Sequence, residues 1–424
     1  MVIVRIIESK KEFDSFLHKY NDYNWTPIIH CTFTDSKLHP KENEIAFLTI
    51  RLDDDYILPF NHSETIELDT SLLEDLKSDA TKFVFNKKEV LHSIDFGGMV
   101  DINFLHYLET NKSIDIEDDK SWMWENLFHK PKNINTVIPI LKQYETIKKF
   151  LDVEFSEKYY IKEYDDAFNL FSNVESCGLQ KNDKKVYSQY NLYTSTGRPS
   201  NRFGGINFAA LNKKDESRKS YVSRFNNEGM LVEFDYDAYH LRLIGEVVGY
   251  DFPPTSVHQY FADVFNISYD EAKVMNFKLL YGDIPQDIAD NVEFFGKVKE
   301  FINKLWKGYK KNKYIESYIY RKRIFARNFD DEMNKTKLFN YFIQNLETER
   351  NIEIMRNLLP KISEYKSKLA LYNYDAFLID FNLKDGLSLL RMIKKEMEKN
   401  NYPTTVSHGK NYDEMEDITE KFVD

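Results

Sequence analysis

Two aspartates that follow strand-like runs constrain this chain more than any other feature. Asp235 follows the strand-like run 230–234, and Asp375 lies at the polar tip of the segment 369–379, between two apolar runs. Two carboxylates at strand ends can hold two Mg²⁺ ions roughly 3.5–4 Å apart, which stabilises the attacking and leaving oxygens of phosphoryl transfer. An isolated aspartate at a strand end is more commonly a turn residue or a helix cap. The pair nevertheless favours a nucleotidyl transferase.

A predicted helix between the two aspartates carries a column of chemically distinct side chains. Residues 269–281 contain no Pro or Gly, and Gly282 follows as a helix-ending signal. Lys273, Phe277 and Tyr281 are four residues apart, so they share one helix face. A cation and two rings suit a nucleoside triphosphate, with the lysine at the phosphates and the rings at the sugar and base. An amphipathic helix with a lysine extending over two core aromatics fits the same spacing, and for this helix alone that alternative is favoured.

Four segments, in order, resemble the motifs of family A DNA polymerases, the group of bacterial DNA polymerase I and many phage replicases. The first is Thr196-Gly197-Arg198-Pro199-Ser200, which is similar to the T-G-R-x-S segment that contacts the primer-template. The others resemble motif A from Asp235 to Arg242, motif B from Lys273 to Gly282, and motif C at Tyr374-Asp375-Ala376. Each match is weak alone, but the ordered set, from residue 196 to about 381, is specific.

The resemblance implies template-dependent primer extension from dNTPs, with a role for each matching residue. The residues implied to hold two Mg²⁺ ions, which Mn²⁺ can replace, are Asp235, Asp375 and Tyr236 through its carbonyl. Those implied to bind the dNTP are His258, Lys273, Phe277, Tyr281, His240 and Tyr236. Those implied to contact DNA are Arg198, Asn207, Arg242, Asn340 and Gln344. Asp235, Asp375 and Lys273 are the implied catalytic residues, with Lys273 protonating the leaving group.

The chain departs from the family pattern inside these motifs. His240 replaces the motif A glutamate that in the family blocks a ribose 2′-hydroxyl, and Tyr269 stands where motif B begins with arginine. In motif C, Tyr374 replaces the histidine and Ala376 replaces the glutamate. An imidazole is similar in bulk to a glutamate side chain, so we expect His240 to hydrogen-bond the Tyr281 hydroxyl and to keep a preference for dNTPs. Since both aspartates remain, we expect an active enzyme.

Length and pattern predict several packed units of mixed α/β and α+β structure. The 424 residues are enough for about two to four units. By resemblance these are the palm, fingers and thumb of a right-hand polymerase, preceded by an RNase H-like exonuclease-type domain. The expected boundaries are 1–120 for the exonuclease-like domain, 121–195 for the thumb, 196–255 for the first part of the palm, 256–334 for the fingers and 335–424 for the second part of the palm.

The first ~120 residues alternate strand-like and helix-like runs, an α/β pattern. The predicted elements are strands at 2–7, 28–34, 44–52 and 82–86 and a helix at 11–20. Their order resembles the 3′–5′ exonuclease domain of family A enzymes, whose paired carboxylates hold two metal ions. The positions of that pair fall on Cys31 and Phe33, the second motif falls on Val90, and only Asp101 keeps a carboxylate. We therefore expect a degenerate domain that does not proofread.

The net charge of −11 opposes non-specific DNA binding, but charge is unevenly distributed. Residues 297–327 hold eleven Lys and Arg against two Glu, with Trp and Tyr residues interleaved. Cations and rings in alternation suit a single-stranded template, and a solvated helix face over buried aromatics suits the pattern equally well. We expect the acidic runs 53–55, 117–119 and 413–417 to be solvated surface.

We expect a cytoplasmic protein, in the host cytoplasm if a phage encodes it, as its compact and divergent motifs suggest. No apolar run approaches the roughly eighteen residues that span a bilayer, and Cys31 and Cys177 form no C-x-x-C pair. The expected partners are primer-template DNA, dNTPs and replisome proteins such as a helicase-primase or a single-strand binding protein, with no membrane. Three alternatives remain open: an RNA polymerase-like or ribonucleotide-tolerant enzyme on the same palm, a non-catalytic DNA-binding replisome scaffold and, least favoured because its carboxylates are missing, a nuclease built on the N-terminal domain.

Overall fold

The protein is described by a computed structural model that covers residues 4–34, 38–61, 67–110, 161–201, 208, 211, 215–253, 256–325 and 333–422. The chain divides into two compact units, residues 1–172 and 173–424. Both combine helices with β-sheets, so the expected mixed α/β class is confirmed. The division into five polymerase segments is finer than these two units and stays a prediction. Residues 121–160 of the expected thumb lie outside the described ranges.

The first unit is built on one mixed sheet. Its strands are β1 (Val4–Ile6), β2 (Ile28–Phe33), β3 (Ile45–Arg51), β4 (Asp55–Pro59), β5 (Lys82–Val84) and β6 (Met99–Asp101). Its helices are α1 (Lys10–Asn21), α2 (Lys87–Val90), α3 (Ile102–Thr110) and α4 (Lys162–Cys177), which continues past the unit boundary. The sheet order is β1-β4-β3-β2-β5-β6, with β1·β4, β2·β5 and β5·β6 parallel.

Every element predicted for this unit is present. The helix α1 is capped by Ser9, whose hydroxyl accepts a hydrogen bond from the Glu12 N–H, and it buries Phe13 and Phe16 in the core. The strands β2 and β3 are buried along their whole length, as expected in the interior of a sheet covered on both faces. The pattern does not predict β4 (Asp55–Pro59) or β6 (Met99–Asp101).

The acidic run 53–55 is not entirely solvated, so that prediction is wrong at one position. Asp55 is only 2% exposed, and the Arg51 Nη2 donates to its Oδ2 at 2.7 Å. A buried carboxylate needs such a partner because desolvation without one is costly. Residues 117–119 lie outside the described ranges, and Glu414, Glu416 and Asp417 are exposed as expected.

The second unit contains most of the helices. Its strands are β7 (Leu179–Lys181), β8 (Lys184–Val186), β9 (Tyr190–Asn191), β10 (Ser200–Asn201), β11 (Tyr221–Val222), β12 (Gly229–Tyr236), β13 (Ile315–Glu316), β14 (Arg323–Ile324), β15 (Lys368–Asn373), β16 (Ala376–Asn382), β17 (Thr404–Gly409) and β18 (Glu416–Asp417). Its helices are α5 (Tyr239–Val248), α6 (Val257–Phe265), α7 (Tyr269–Tyr281), α8 (Gln286–Asn291), α9 (Glu293–Asn312), α10 (Lys335–Ser363) and α11 (Gly386–Met397).

An antiparallel five-stranded sheet and a long helix organise this unit. The sheet order is β15-β16-β12-β17-β18. The helix α10 packs against α5, α9, α11 and β15 and is buried on more than one face. Its buried side chains include a polar group near its middle: Asn345, Glu347, Thr348, Glu349 and Asn351. Among the described residues, no helix has both the length and the apolar character that crossing a membrane requires.

Candidate active site

Asp235 lies on β12, and Asp375 lies in the turn that leads into the neighbouring strand β16. Asp235 is the cross-strand partner of Ala376, the residue after Asp375. The Tyr236 N–H donates to the Asp375 carbonyl oxygen at 2.9 Å. Cross-strand Cα atoms in antiparallel pairs lie roughly 4.5–5.5 Å apart, so the two carboxylates start from adjacent backbone positions. The prediction that folding brings these aspartates together is confirmed.

Both aspartates line a cavity of about 240 Å³. The cavity also collects most of the residues predicted to bind metal or nucleotide: Tyr236, His240, His258, Lys273 and Phe277. These side chains come from β12, α5, α6 and α7, which are far apart in sequence. One depression therefore combines three acidic groups, since Asp237 lines it as well, with a lysine, two imidazoles and the exposed rings of Tyr269 and Phe277.

A buried asparagine fixes the turn that carries Asp375. Tyr374 precedes it with a positive φ of 63°, which non-glycine residues adopt only when neighbouring contacts enforce it. The Asn351 Nδ2 donates to the Tyr374 carbonyl oxygen at 2.8 Å and to the Tyr372 hydroxyl at 3.1 Å. The Tyr239 hydroxyl donates to the Asn351 Oδ1 at 2.9 Å. The helix α10 thus sets the backbone conformation in front of the carboxylate.

The electrostatics of Asp375 suit a cation ligand. Burial raises the pKa of this carboxyl, the nearby Glu347 carboxylate raises it further, and His240 and Arg198 lower it only in part. The ionised form is therefore costly unless positive charge is close. Carboxylate oxygens are the ligands that Mg²⁺ prefers, so the donor set at Asp235 and Asp375 fits the predicted ions.

The helix α7 has the predicted bounds and a defined start. Ser268 is its N-cap: the hydroxyl accepts a hydrogen bond from the Glu271 N–H, and the Glu271 carboxylate accepts one from the Ser268 N–H. This capping box satisfies donors that a helix start leaves without partners. The helix ends at Gly282, where a Cβ would lie 2.5 Å from the Lys278 carbonyl oxygen.

The predicted column on α7 faces the cavity. Lys273 is exposed, Phe277 is 43% exposed, and both line the depression with the aspartates. The rings of Phe277 and Tyr281 are parallel, with centroids 6.0 Å apart and an interplanar angle of 5°. The alternative in which both rings belong to the core is wrong, because a core Phe277 would be buried.

His258 is buried at the edge of the cavity. Its Nδ1 lies 3.1 Å from the Asn276 Nδ2, and since an amide nitrogen only donates, the ring nitrogen accepts and the proton resides on Nε2. Burial lowers the pKa of His258, Lys273 and Arg242 lower it further, and Asp237 opposes them. The imidazole is therefore neutral at pH 7.

His240 joins α5 to two other helices. Its Nδ1 forms a hydrogen bond with the Tyr281 hydroxyl on α7, which confirms the predicted contact. Its Nε2 lies 3.1 Å from the Glu347 Oε1 on α10. The motif pattern does not predict Glu347, a carboxylate that is only 1% exposed.

Glu347 also binds Arg198. The Arg198 Nε lies 2.8 Å from the Glu347 Oε2, and the guanidinium carbon lies 3.6 Å from the centroid of the Tyr374 ring. Burial alone would raise the pKa of Glu347, but His240 and Arg198 outweigh it and hold the pKa below the usual value. The only sequence signal for this group is the uninterrupted polar run near the middle of α10, since a helix interior with buried polar residues needs partners for them.

The predicted primer-contact turn rests on α10 through a glycine. Gly197 has a φ of 72°, and a Cβ there would lie 2.5 Å from the Asn345 Oδ1. The Asn345 Nδ2 donates to the Thr196 carbonyl oxygen. Only glycine allows both the positive φ and the close approach to Asn345. The contact of this turn with α10 places Arg198 beside Glu347.

The other residues predicted to contact DNA lie in different environments. Asn340 and Gln344 line a separate open groove of about 890 Å³. Arg242 is 8% exposed, and its Nη2 lies 2.8 Å from the Asp237 Oδ2. The predicted DNA contact of Arg242 is therefore corrected. Its guanidinium is buried against a carboxylate and forms a structural ion pair. Asn207 lies outside the described residues.

Comparison with known proteins finds similarity among solved structures. No family model matches the chain, and no curated protein matches it. Among solved structures, the POL domain of Pol1 from M. smegmatis, in complex with DNA primer-template and dNTP, is similar with a TM-score of 0.73. The two are 13% identical, and the match covers 97% of this chain and 99% of that chain. At this identity the likeness shows the fold, which is that of a polymerase domain.

Proposed function

We propose that this chain is a family A-type DNA-directed DNA polymerase that extends a primer 5′ to 3′ from dNTPs. The observation that carries the proposal is that Asp235, on β12, and Asp375, in the turn before the adjacent strand β16, line one cavity with Lys273 and Phe277. The polymerase domain of similar fold was solved with a primer-template and dNTP, which supports the same substrates here. We assign the palm to the five-stranded sheet and the fingers to the segment that contains α6 to α9.

The chemistry follows from the charges in the cavity. Asp235, Asp375 and the Tyr236 carbonyl would hold two Mg²⁺ ions, or Mn²⁺, which neutralise the charge that develops on the attacking and leaving oxygens. Lys273 binds the phosphates and donates a proton to the leaving pyrophosphate. His258 is neutral and offers its Nε2–H to the same phosphates. Phe277 covers the sugar and the base.

Primer extension with Asp375→Asn tests the proposal. We expect the wild type to extend a primed template with Mg²⁺ and Asp375→Asn to be slower by about 10³-fold, because several kcal/mol of charge stabilisation are lost. Asp380→Asn is the matched control, since Asp380 lies on β16 but its carboxylate binds Ser223 and Arg224 away from the cavity. Thermal unfolding of both variants shows whether each remains folded. A wild type that binds primed DNA without extending it would favour the non-catalytic scaffold.

Sugar selection is assigned to His240. Its position in the cavity wall and its hydrogen bond to Tyr281 support a steric role against a 2′-hydroxyl. We expect the wild type to prefer dATP to ATP and His240→Ala to narrow that preference. An unchanged ratio in His240→Ala would exclude the gate, and equal use of ATP by the wild type would favour the ribonucleotide-tolerant alternative.

The basic and aromatic segment that includes α9 is assigned to the template strand. Trp306 and Tyr309 stack with centroids 5.7 Å apart, and the Lys310 Nζ lies 5.4 Å from the Trp306 ring centroid. Trp306 also lines the open groove with Asn340 and Gln344. Rings and lysines in one groove suit stacked bases and their phosphates. Lys322, counted with this basic segment, is instead buried, and burial lowers the pKa of its amine to about 8.

The first unit is assigned as a degenerate exonuclease-like domain without proofreading. Cys31 and Phe33, at the positions of the carboxylate pair, are both buried, and so is Val90. The Asp101 carboxylate accepts hydrogen bonds from the backbone N–H groups of Lys87 and Phe104, which is a structural role at the start of α3. We expect no metal-dependent removal of a mismatched 3′ nucleotide. The assignment would be refuted if the protein removed the 3′ nucleotide, if Asp101→Asn abolished that removal, and if Asp375→Asn preserved it.

A further inference from the structure

Glu347 occupies a central place that the proposed chemistry does not use. It lies on α10 between the Arg198 guanidinium, at 2.8 Å, and the His240 imidazole, at 3.1 Å. His240 is assigned to the sugar in the proposed function, and Arg198 lies in the segment that the family resemblance places at the primer-template. A buried carboxylate is costly unless it is paired, so its position between two functional side chains requires an explanation.

The carboxylate determines which nitrogen of His240 carries the proton. The His240 Nε2 lies 3.1 Å from the Glu347 Oε1, and an ionised carboxylate has no proton to share, so its negative charge favours the ring proton on Nε2. In the neutral ring the Nδ1 is then an acceptor, and the Tyr281 hydroxyl, its partner, must be the donor. The pKa of Glu347 lies below its usual value, so the carboxylate keeps its charge and its acceptor role at neutral pH.

Tyr281 connects His240 to a residue of the cavity wall. Its ring stacks in parallel on Phe277, which lines the depression beside the two aspartates. The chain from Glu347 through His240 and Tyr281 to Phe277 therefore crosses from α10 to α5 to α7. Each step is a direct contact between side chains, and the first three side chains are fixed by hydrogen bonds or ion pairs.

We propose that Glu347 is a positioning residue for nucleotide selection, which acts by fixing the tautomer and orientation of His240 so that this ring holds Tyr281 against Phe277 in the wall of the nucleotide cavity. The inference rests on the proposed function and extends it to a residue outside the polymerase motifs. His240 stands where motif A of the family has a glutamate. In this chain, the negative charge near that position comes from Glu347 on α10.

A competing role for Glu347 is only to neutralise Arg198. The two roles differ in their dependence on His240, so a double-mutant cycle separates them. The variants are Glu347→Gln, which keeps an acceptor oxygen at similar volume, and Glu347→Leu, which removes it, each with His240 and with His240→Ala. The measured quantity is the ratio of kcat/KM for dATP to that for ATP, together with the melting temperature of each variant.

We expect Glu347→Leu to lower the dATP/ATP ratio by about tenfold, which corresponds to about 1.4 kcal/mol for the loss of the charged contact with His240. Glu347→Gln should retain most of the ratio. In the His240→Ala background, neither substitution should lower the ratio further. An equal loss in both backgrounds, or no loss with His240 present, would overturn the proposal.

A second readout needs no substrate. The ¹⁵N chemical shifts of the His240 ring report its tautomer, and we expect a single Nε2–H form in the wild type and a mixture in Glu347→Leu. A tautomer that is unchanged in Glu347→Leu would also overturn the proposal. Failure of the wild type to extend any primer would instead refute the proposed function, and the ring shifts would still decide whether Glu347 orders His240.

Discussion

At the residue scale, the cavity combines groups whose charge states are set by their neighbours. Burial lowers the pKa of His258 and the positive charge of Lys273 lowers it further, while the Asn276 amide contacts the Nδ1 of the ring. Glu347 remains ionised although it is buried, because two partners share it. Asp375 differs, since burial and a nearby carboxylate both raise its pKa. Neighbouring acidic groups therefore have opposite pKa shifts, which is a common property of active sites.

The lowered pKa of His258 predicts a loss of stability in mild acid. Its folded pKa lies below the unfolded value of 6.5, so the unfolded chain takes up the proton first. The free energy of unfolding should therefore fall as pH decreases from 7.5 through 6.5, by at most about 1.4 kcal/mol per pH unit for this one group. Urea unfolding at pH 7.5 and 5.5 measures the change. His258→Gln should reduce it, and an identical pH dependence in the variant would contradict the prediction.

Gly197 and Gly308 provide a matched test of backbone strain. Gly197 has a φ of 72° and a close approach to Asn345, so Gly197→Ala should lower the free energy of unfolding by about 1–3 kcal/mol. Gly308 lies within α9, and no atom of a described residue outside its own helix turn lies within 4 Å of the position that a Cβ would take. Gly308→Ala should therefore stabilise the protein by about 0.5–1 kcal/mol. Denaturant unfolding of both variants gives the sign of the change in the free energy of unfolding. Equal changes in the two variants would show that residue 197 has room for a Cβ beside α10.

At the element scale, α10 is the support on which the site is assembled. Asn345 contacts the turn before Arg198, Glu347 contacts Arg198 and His240, and Asn351 contacts the turn before Asp375. The spacing of these residues places successive contacts along the helix, since one turn advances by about 5.4 Å. A rigid helix that makes all these contacts can keep separate loops in a constant geometry.

Asn351→Ala should reduce both stability and primer extension. It leaves the Tyr374 carbonyl and the Tyr239 hydroxyl without their buried partner, at a cost of about 1–3 kcal/mol for each group that stays unsatisfied. Extension should fall more than Mg²⁺-independent DNA binding, because the turn that carries Asp375 is released. Asn357→Ala, on an exposed part of the same helix, should change stability by no more than about 0.5 kcal/mol. Equal activity of the two variants would show that Asn351 does not hold the turn.

At the scale of the whole molecule, net charge and local charge act in opposite directions. The chain carries −11 overall, yet Lys304, Lys307, Lys310 and Lys311 on α9 are all exposed. Such a distribution favours binding of DNA at one surface and repels it elsewhere, and salt screens both effects. The affinity for primer-template should therefore depend strongly on ionic strength.

Replacing Lys307 and Lys310 by glutamine should weaken primer-template binding. We expect the slope of log K against log salt to become shallower by about one to two, since about 0.7–0.9 counterions are released for each phosphate contact. Fluorescence anisotropy at a series of KCl concentrations measures the slope. Lys19→Gln, on the exposed part of α1 in the first unit, is the control and should leave the slope unchanged. An unchanged slope in the double variant would show that α9 does not contact DNA.

Local patterns in the sequence are enough to predict the elements and the residues of the central chemistry. They predict α7 at its observed bounds and the strands β2, β3 and β5 within a few residues. They also pair Asp235 with Asp375, whose strands the fold places side by side. The physical reason is that periodicity, caps and strand ends are local properties, while the order of motifs relates distant residues through the family resemblance.

The partners of these residues, by contrast, follow from tertiary packing. The contacts of Glu347 with Arg198 and His240, of Asn351 with Tyr374, and of Arg242 with Asp237 depend on how helices and turns pack. A local pattern indicates that a polar residue is buried but does not encode the partner that compensates its desolvation, because that partner is chosen by the packing of segments far apart in the chain.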